Sequence, residues 1–270
     1  MKCLTVIAAL AAFSQAAWAA CGNESLKGTY GLDGAGSIYG PPELPVAGPF
    51  VRVGTVHFDG AGGVRYDTVS SYNGIVTDEP YVGSYTVGAD CKFVYSAVLP
   101  PPINLPVTFA GFVSPTGDRL DYMLVDPAGA GVYASLYRQP KERCDSSDLA
   151  GTYNMISKGV LLPSNPEAGP FVRVGTMTAT SDLPNLSFFP RPGKFTITAT
   201  ANYSGLNRTE TFSGTYQVQG NCKVRFDYVQ PFPTGDVPAR IDGVVVGGNK
   251  QVIFMISVQS VVVSGTMTRQ

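Results

Sequence analysis

The feature that most constrains this chain is an internal identity. Ala47-Gly48-Pro49-Phe50-Val51-Arg52-Val53-Gly54-Thr55 returns unchanged as Ala168-Gly169-Pro170-Phe171-Val172-Arg173-Val174-Gly175-Thr176. Nine consecutive matches at one offset identify a duplication, and shorter matches extend it in the same order. Leu26-Lys27-Gly28-Thr29-Tyr30 answers Leu149-Ala150-Gly151-Thr152-Tyr153, and Gly83-Ser84-Tyr85 answers Gly214-Thr215-Tyr216. Cys91-Lys92 answers Cys222-Lys223, and Arg138-Gln139 answers Arg269-Gln270. The offset is 123 at the start, 121 at the long match and 131 from Gly83 onward, so the second copy carries ten extra residues before Gly214. Such a period is too long for a solenoid, whose units run about 20 to 50 residues. The chain reads as two copies of one domain, residues 21–139 and 144–270, joined by a short polar linker at 140–143.

Residues 1–20 read as a signal peptide. Met1-Lys2 is a positive start, Leu4 to Phe13 is apolar but for Thr5, and Ala17-Trp18-Ala19 offers the small-x-small pattern of a cleavage site. Cleavage near Ala19 or Ala20 leaves a secreted or periplasmic chain. A lipoprotein anchored through Cys21 is the alternative, although Trp18 stands where a lipobox wants an aliphatic residue. No other stretch approaches the roughly 20 apolar residues of a transmembrane helix. Without Lys2, 18 basic residues face 20 acidic ones. That near-neutral balance argues against a nucleic-acid partner, which needs a concentrated basic face. Export also explains the cysteines. Cys3 leaves with the leader, and Cys21, Cys91, Cys144 and Cys222 remain, one early and one late in each copy. In an oxidising compartment these read as disulfides, and the duplication favours Cys21–Cys91 and Cys144–Cys222.

The fold class follows from period two. Phe195, Ile197, Ala199, Ala201 and Tyr203 alternate with Lys194 and a run of Thr and Asn. Phe212, Gly214, Tyr216 and Val218 alternate with Thr211, Ser213, Thr215 and Gln217, and Val224, Phe226 and Tyr228 alternate with charged residues. This is the pattern of antiparallel strands buried on one face. Gly (31) and Pro (21) are plentiful, and Asp59-Gly60, Asn73-Gly74, Gly117-Asp118 and Gly248-Asn249 mark turns. In copy one the turns predict strands near 28–33, 48–58, 64–72, 75–87, 91–98, 107–114, 119–126 and 131–138. Eight sequential strands per copy predict an all-β protein of two tandem eight-stranded antiparallel up-and-down barrels. A pair of β-sandwiches is the alternative.

The run Leu26-Lys27-Gly28-Thr29-Tyr30-Gly31, Gly48 to Thr55, Phe58-Asp59-Gly60-Ala61-Gly62-Gly63, Gly83-Ser84-Tyr85 and Arg138-Gln139 resembles small secreted bacterial proteins with lipocalin-like or allene-oxide-cyclase-like barrels. Tyr30 stands where the lipocalin Gly-x-Trp motif carries Trp. The resemblance implies a barrel able to hold a small molecule, and implies no chemistry.

Catalytic constellations are sparse. His57 is the single histidine, Thr178 replaces it in copy two, and it is expected to face solvent on its strand. No metal site and no cofactor is indicated, the Gly-rich turns lack the helix and Lys of a phosphate loop, and no carboxylate dyad recurs in both copies. Sequons begin at Asn23, Asn185, Asn202 and Asn207. One polar residue stands out. Arg52 and Arg173 fall in phase with Phe50 and Phe171, so both arginines point to the apolar side. A buried guanidinium needs a carboxylate, carbonyls or an anionic ligand. Glu43 and Glu167, a few residues upstream, are the expected partners. The inward aromatics Tyr85, Phe93 and Tyr95 in copy one, and Phe212, Tyr216, Phe226 and Tyr228 in copy two, complete a candidate binding lining. Three function classes follow, in order. The first is a non-enzymatic module binding a small apolar or weakly anionic molecule. The second is a structural or surface-interaction protein, and the third is a barrel cyclase or isomerase.

Overall fold

A computed structural model of the protein describes residues 21–40, 46–101, 103–139, 143–181, 192–232 and 235–270. Residues 1–20, the expected signal peptide, residues 140–142 of the expected linker, Glu43 and the Asn185 sequon lie outside them. The first copy forms β1 (Gly28–Ile38), β2 (Gly48–Phe58), β3 (Gly63–Tyr72), β4 (Ile75–Val87), β5 (Lys92–Val98), β6 (Pro106–Val113), β7 (Arg119–Asp126) and β8 (Ala130–Arg138). The second forms β9 (Gly151–Leu161), β10 (Gly169–Thr180), β11 (Gly193–Tyr203), β12 (Leu206–Val218), β13 (Lys223–Phe232), β14 (Gly235–Val246), β15 (Gln251–Ile256) and β16 (Val261–Arg269). Each set is an antiparallel barrel in chain order, closed by pairing of its first and last strands. The barrels replace the sandwich alternative. Only full closure removes every free sheet edge. Copy two's extra residues fall between β10 and β11, where β2 and β3 are joined by only four residues, 59–62.

The duplicated motifs now have separate physical reasons. In Gly54 (φ +147°) a Cβ would sit 2.4 Å from the carbonyl of Asp67, and in Gly175 2.3 Å from that of Thr198, so only glycine lets the neighbouring strand come this close. Arg138 closes one end of barrel 1: its Nε donates to the Gly117 carbonyl (3.0 Å), Nη1 to Lys27 (2.5 Å) and Nη2 to Ser25 (2.7 Å), with the guanidinium over the Tyr30 ring. Arg269 repeats this in barrel 2, donating to the Ala150 carbonyl and covering Tyr153. The same end is plugged by a one-turn 3-10 helix, Asn23–Leu26 or Ser146–Leu149, whose Leu26 or Leu149 is fully buried. The disulfides are Cys21–Cys91 and Cys144–Cys222. Each ties the chain just before a plug to the turn ahead of β5 or β13.

The barrels pack side by side. Val51, Val53 and Val69 on the outside of barrel 1 form one cluster with Val244, Val246, Ile253, Met255 and Val262 on the outside of barrel 2. Lys223 Nζ reaches Asp67 (2.7 Å) across the seam, and Ser71 Oγ donates to the Val261 carbonyl (3.0 Å). Val53 and Thr55 share the β2 face of His57, the residue expected to face solvent. Barrel 2 covers that face, and His57 alone emerges beyond the seam, exposed and bonded to Thr29 (3.2 Å). Ser260 N donates to the Gly74 carbonyl (3.0 Å) at the unplugged ends, and Gln139 Nε2 to the Val245 carbonyl (3.4 Å) at the plugged ends. Both open mouths therefore face the same side. Among the described residues no helix is long and apolar enough to cross a membrane.

Candidate functional site

The two inward arginines organise the mouths. Arg52 is 5 % exposed and fully enclosed in its own hydrogen bonds. Its Nε donates to Ser70 Oγ (2.7 Å), Nη1 to Tyr81 OH (3.0 Å), and Nη2 to both Tyr72 OH (2.6 Å) and Glu79 Oε2 (2.5 Å). Ser70 Oγ also donates to Glu79 Oε2 (2.7 Å), so the carboxylate, 0 % exposed, is shared between charge and hydroxyl. The rings of Phe50, Tyr72 and Tyr81 lie 5.2–6.0 Å from the guanidinium carbon. Burial alone would pull the guanidinium down, but Tyr72, Tyr81 and Glu79 hold it well above its ordinary value. Burial raises Tyr72, and raises Tyr81 to about 12 against the opposing pull of Arg52.

Strand registers show the same cluster in barrel 2. Arg173 Nη2 donates to Glu210 Oε2 (2.7 Å), Gln230 Oε1 (3.1 Å) and Tyr203 OH (3.3 Å), while Tyr203 OH donates to Glu210 Oε1. Phe171 and Phe212 cover the guanidinium, each 5.1 Å away. The carboxylate partners are thus Glu79 and Glu210, two strands along the sheet, rather than the upstream glutamates. Glu167 pairs instead with Arg208, across the mouth-side turn. Arg208 holds Glu167 at the mouth-side turn, whereas Glu210, inward on β12, meets Arg173 directly. The signal for Glu79 and Glu210 was present. They lie on the alternation that places Tyr85 and Phe212 inward, and they match at the offset of 131.

Above the Arg52 cluster lies a cavity of about 390 Å³, at the end carrying the β1–β2, β5–β6 and β7–β8 connections. Its walls are aliphatic, with Val46, Leu99, Ile103, Leu105 and Val132 among them, and Phe50, Arg52 and Tyr72 form its floor. The corresponding cavity of barrel 2 is about 200 Å³, floored by Phe171, Arg173, Tyr203, Tyr228 and Gln230. Small-molecule sites usually span about 300–1,000 Å³. Of the residues expected to line a site, Arg52, Arg173 and Tyr228 reach these cavities. Tyr95 stacks mid-barrel between Tyr66 and Phe109, and Phe212 stacks on Tyr228. Tyr85 and Phe93 pack against Phe58 toward the plugged end, where Tyr85 OH donates to the Asn23 carbonyl (3.1 Å). Tyr216 does likewise to Ser146 (2.9 Å) and packs on Phe226. The aliphatic cavity walls were not anticipated, because they come from strand ends and connections where alternation gives no direction.

Chemically the floor is charge-neutral, a guanidinium matched to a carboxylate whose oxygens are both engaged. It can present hydroxyl and aromatic surface to a guest. Among the described residues no group of three or more His, Cys, Asp or Glu side chains could hold a metal ion.

No family model matches the chain, and no curated protein does. The solved structures it matches include the isotype 1 transferrin binding protein B (TbpB) from serogroup B Neisseria meningitidis, at 8% identity and a TM-score of 0.30, over 91% of this chain and 75% of that one. A likeness that distant carries no information on function. The tandem barrel architecture stands on the strand pairing itself.

Proposed function

We propose that the protein is an exported binding protein that holds a small, largely apolar, uncharged molecule in the mouth of barrel 1. The observation that carries this is the aliphatic cavity of about 390 Å³ above a satisfied Arg52–Glu79 floor. An anionic guest is disfavoured, because Glu79 already neutralises the arginine 2.5 Å away. A guest buries apolar surface there at about 25 cal/mol per Å², with the Tyr72 ring beneath it. The two disulfides fit an oxidising, extracytoplasmic compartment.

The test uses the full disulfide-bonded chain and the neutral fluorophore N-phenyl-1-naphthylamine. Its emission should rise on binding. Leu105→Trp, which fills the mouth from a residue already 40% exposed, should abolish the rise while leaving the melting temperature unchanged. Absence of any rise in the native chain, or an equal rise in the variant, overturns the reading. An empty barrel 1 would leave a structural or surface-interaction role.

A further inference from the structure

The duplicated floors have diverged in a way that changes what each can hold. Registers give the equivalences: Ser70 becomes Ala201, Tyr81 becomes Phe212 and Ala97 becomes Tyr228, while the offset of 131 puts Gln230 at the place of Leu99. In barrel 1 every guanidinium nitrogen of Arg52 has an acceptor from its own barrel. In barrel 2 the two hydroxyls that serve Nε and Nη1 are gone. Arg173 is 3% exposed, yet its Nε has no hydrogen-bond partner among the described residues. Three acceptors instead share the two hydrogens of Nη2, two of them at 3.1 and 3.3 Å. A buried guanidinium left short of acceptors is costly, and because Arg173 lines the cavity, a guest acceptor there can draw one of the crowded Nη2 bonds to itself and ease the competition. Tyr228 adds a phenol to the cavity wall that Arg173 also lines. Ser164 and Asn165 of the β9–β10 connection add polar groups to the rim, whereas the described part of the β1–β2 connection gives the barrel 1 cavity the aliphatic Val46.

We infer that the mouth of barrel 2 is a second site of different specificity, taking a smaller neutral molecule that carries a hydrogen-bond acceptor of carbonyl type. The acceptor meets Arg173 and Tyr228, and the apolar remainder lies against Phe171 and Val237. A carboxylate is the wrong guest, since Glu210 lies 2.7 Å from the same guanidinium. The inference rests on reading the mouths as ligand sites, but barrel 2 can be tested separately from barrel 1.

The probes are 4-fluoroacetophenone and 4-ethylfluorobenzene, which share a shape and differ by one carbonyl oxygen. Fluorine NMR titration of the full chain should show the ketone binding about tenfold or more tightly than the hydrocarbon, as expected for a hydrogen bond to a charged donor. Val237→Trp, at a wall position already 41% exposed, should remove that preference and leave N-phenyl-1-naphthylamine uptake by barrel 1 intact. Ala201→Ser with Phe212→Tyr restores the barrel 1 hydroxyls and should shrink the preference while the fold is retained. Equal affinity for both probes, no ketone binding, or a preference that survives Val237→Trp overturns the inference. A ketone preference in a chain that ignores the naphthylamine supports barrel 2 as a site and rejects the reading of barrel 1.

Discussion

At the scale of single residues, the Arg52–Glu79 and Arg173–Glu210 pairs are the most consequential polar features. Removing two charges from water is expensive, and the pair survives because hydroxyls and ring faces complete the environment. Arg52→Met strands Glu79 and should cost about 3–5 kcal/mol in urea unfolding. Arg52→Met with Glu79→Leu removes both charges and should recover most of that loss, because apolar replacements of a buried pair are often near neutral. A double variant as unstable as the single one would show that the cluster does more than balance charge. The tyrosines make a second expectation. Burial raises Tyr30 and Tyr81 from the ordinary 10.0 to about 12 each, with Arg138 and Arg52 opposing. The folded chain thus keeps protons that the unfolded chain releases from pH 10 upward. Their contribution to stability is complete below pH 10 and is lost as the pH climbs to about 12. Melting temperatures measured across that window should fall steadily. A flat profile would contradict the buried phenols.

At the scale of elements, the plugged end and the open end are built differently. The 3-10 turns Asn23–Leu26 and Ser146–Leu149 are too short to hold themselves in place, so covalent and charged anchors do it. Arg138 and Arg269 gather the last free carbonyls there. Each disulfide closes a separation of 70 or 78 residues, for which restricting the unfolded chain is worth up to about 4 kcal/mol. Cys144→Ser with Cys222→Ser should therefore lower the stability of barrel 2 by about 2–4 kcal/mol. It should also expose the plug to limited proteolysis near Ser146. Unchanged stability and protection would mean that Arg269 and Leu149 suffice.

At the scale of the whole molecule, the duplication did not produce two independent beads. Val51, Val53 and Val69 are covered by barrel 2, while Val172 and Val174, the counterparts of Val51 and Val53, remain 45% and 48% exposed. One outer face became a seam and its twin did not. Residues 21–139 hold a complete closed barrel with its own disulfide, so expressed alone they should give a β-type circular dichroism spectrum and a cooperative melt. The uncovered valines should lower the melting temperature and add a second, outer-face site for an apolar dye beyond any uptake by the barrel 1 mouth. A fragment that stays unfolded would show that the seam is part of the folding core.

The duplication, the cysteine pairing, the strand count and the inward direction of Arg52 and Arg173 were all legible in the chain itself. Each depends on period two or on self-similarity, which are properties of sequence order. Glu79 and Glu210 were legible too, one alternation step before Tyr81 and Phe212, but their strands and those of the arginines had to stand with one strand between them in a curved sheet before they became partners. The cavity walls, the seam and the divergence of the two floors came only with the tertiary structure. Strand ends and connections carry no periodicity to give their side chains a direction. An outward valine looks the same in sequence whether water or a second barrel lies beyond it. Ala201 in place of Ser70 becomes meaningful only once closure sets it beside a guanidinium.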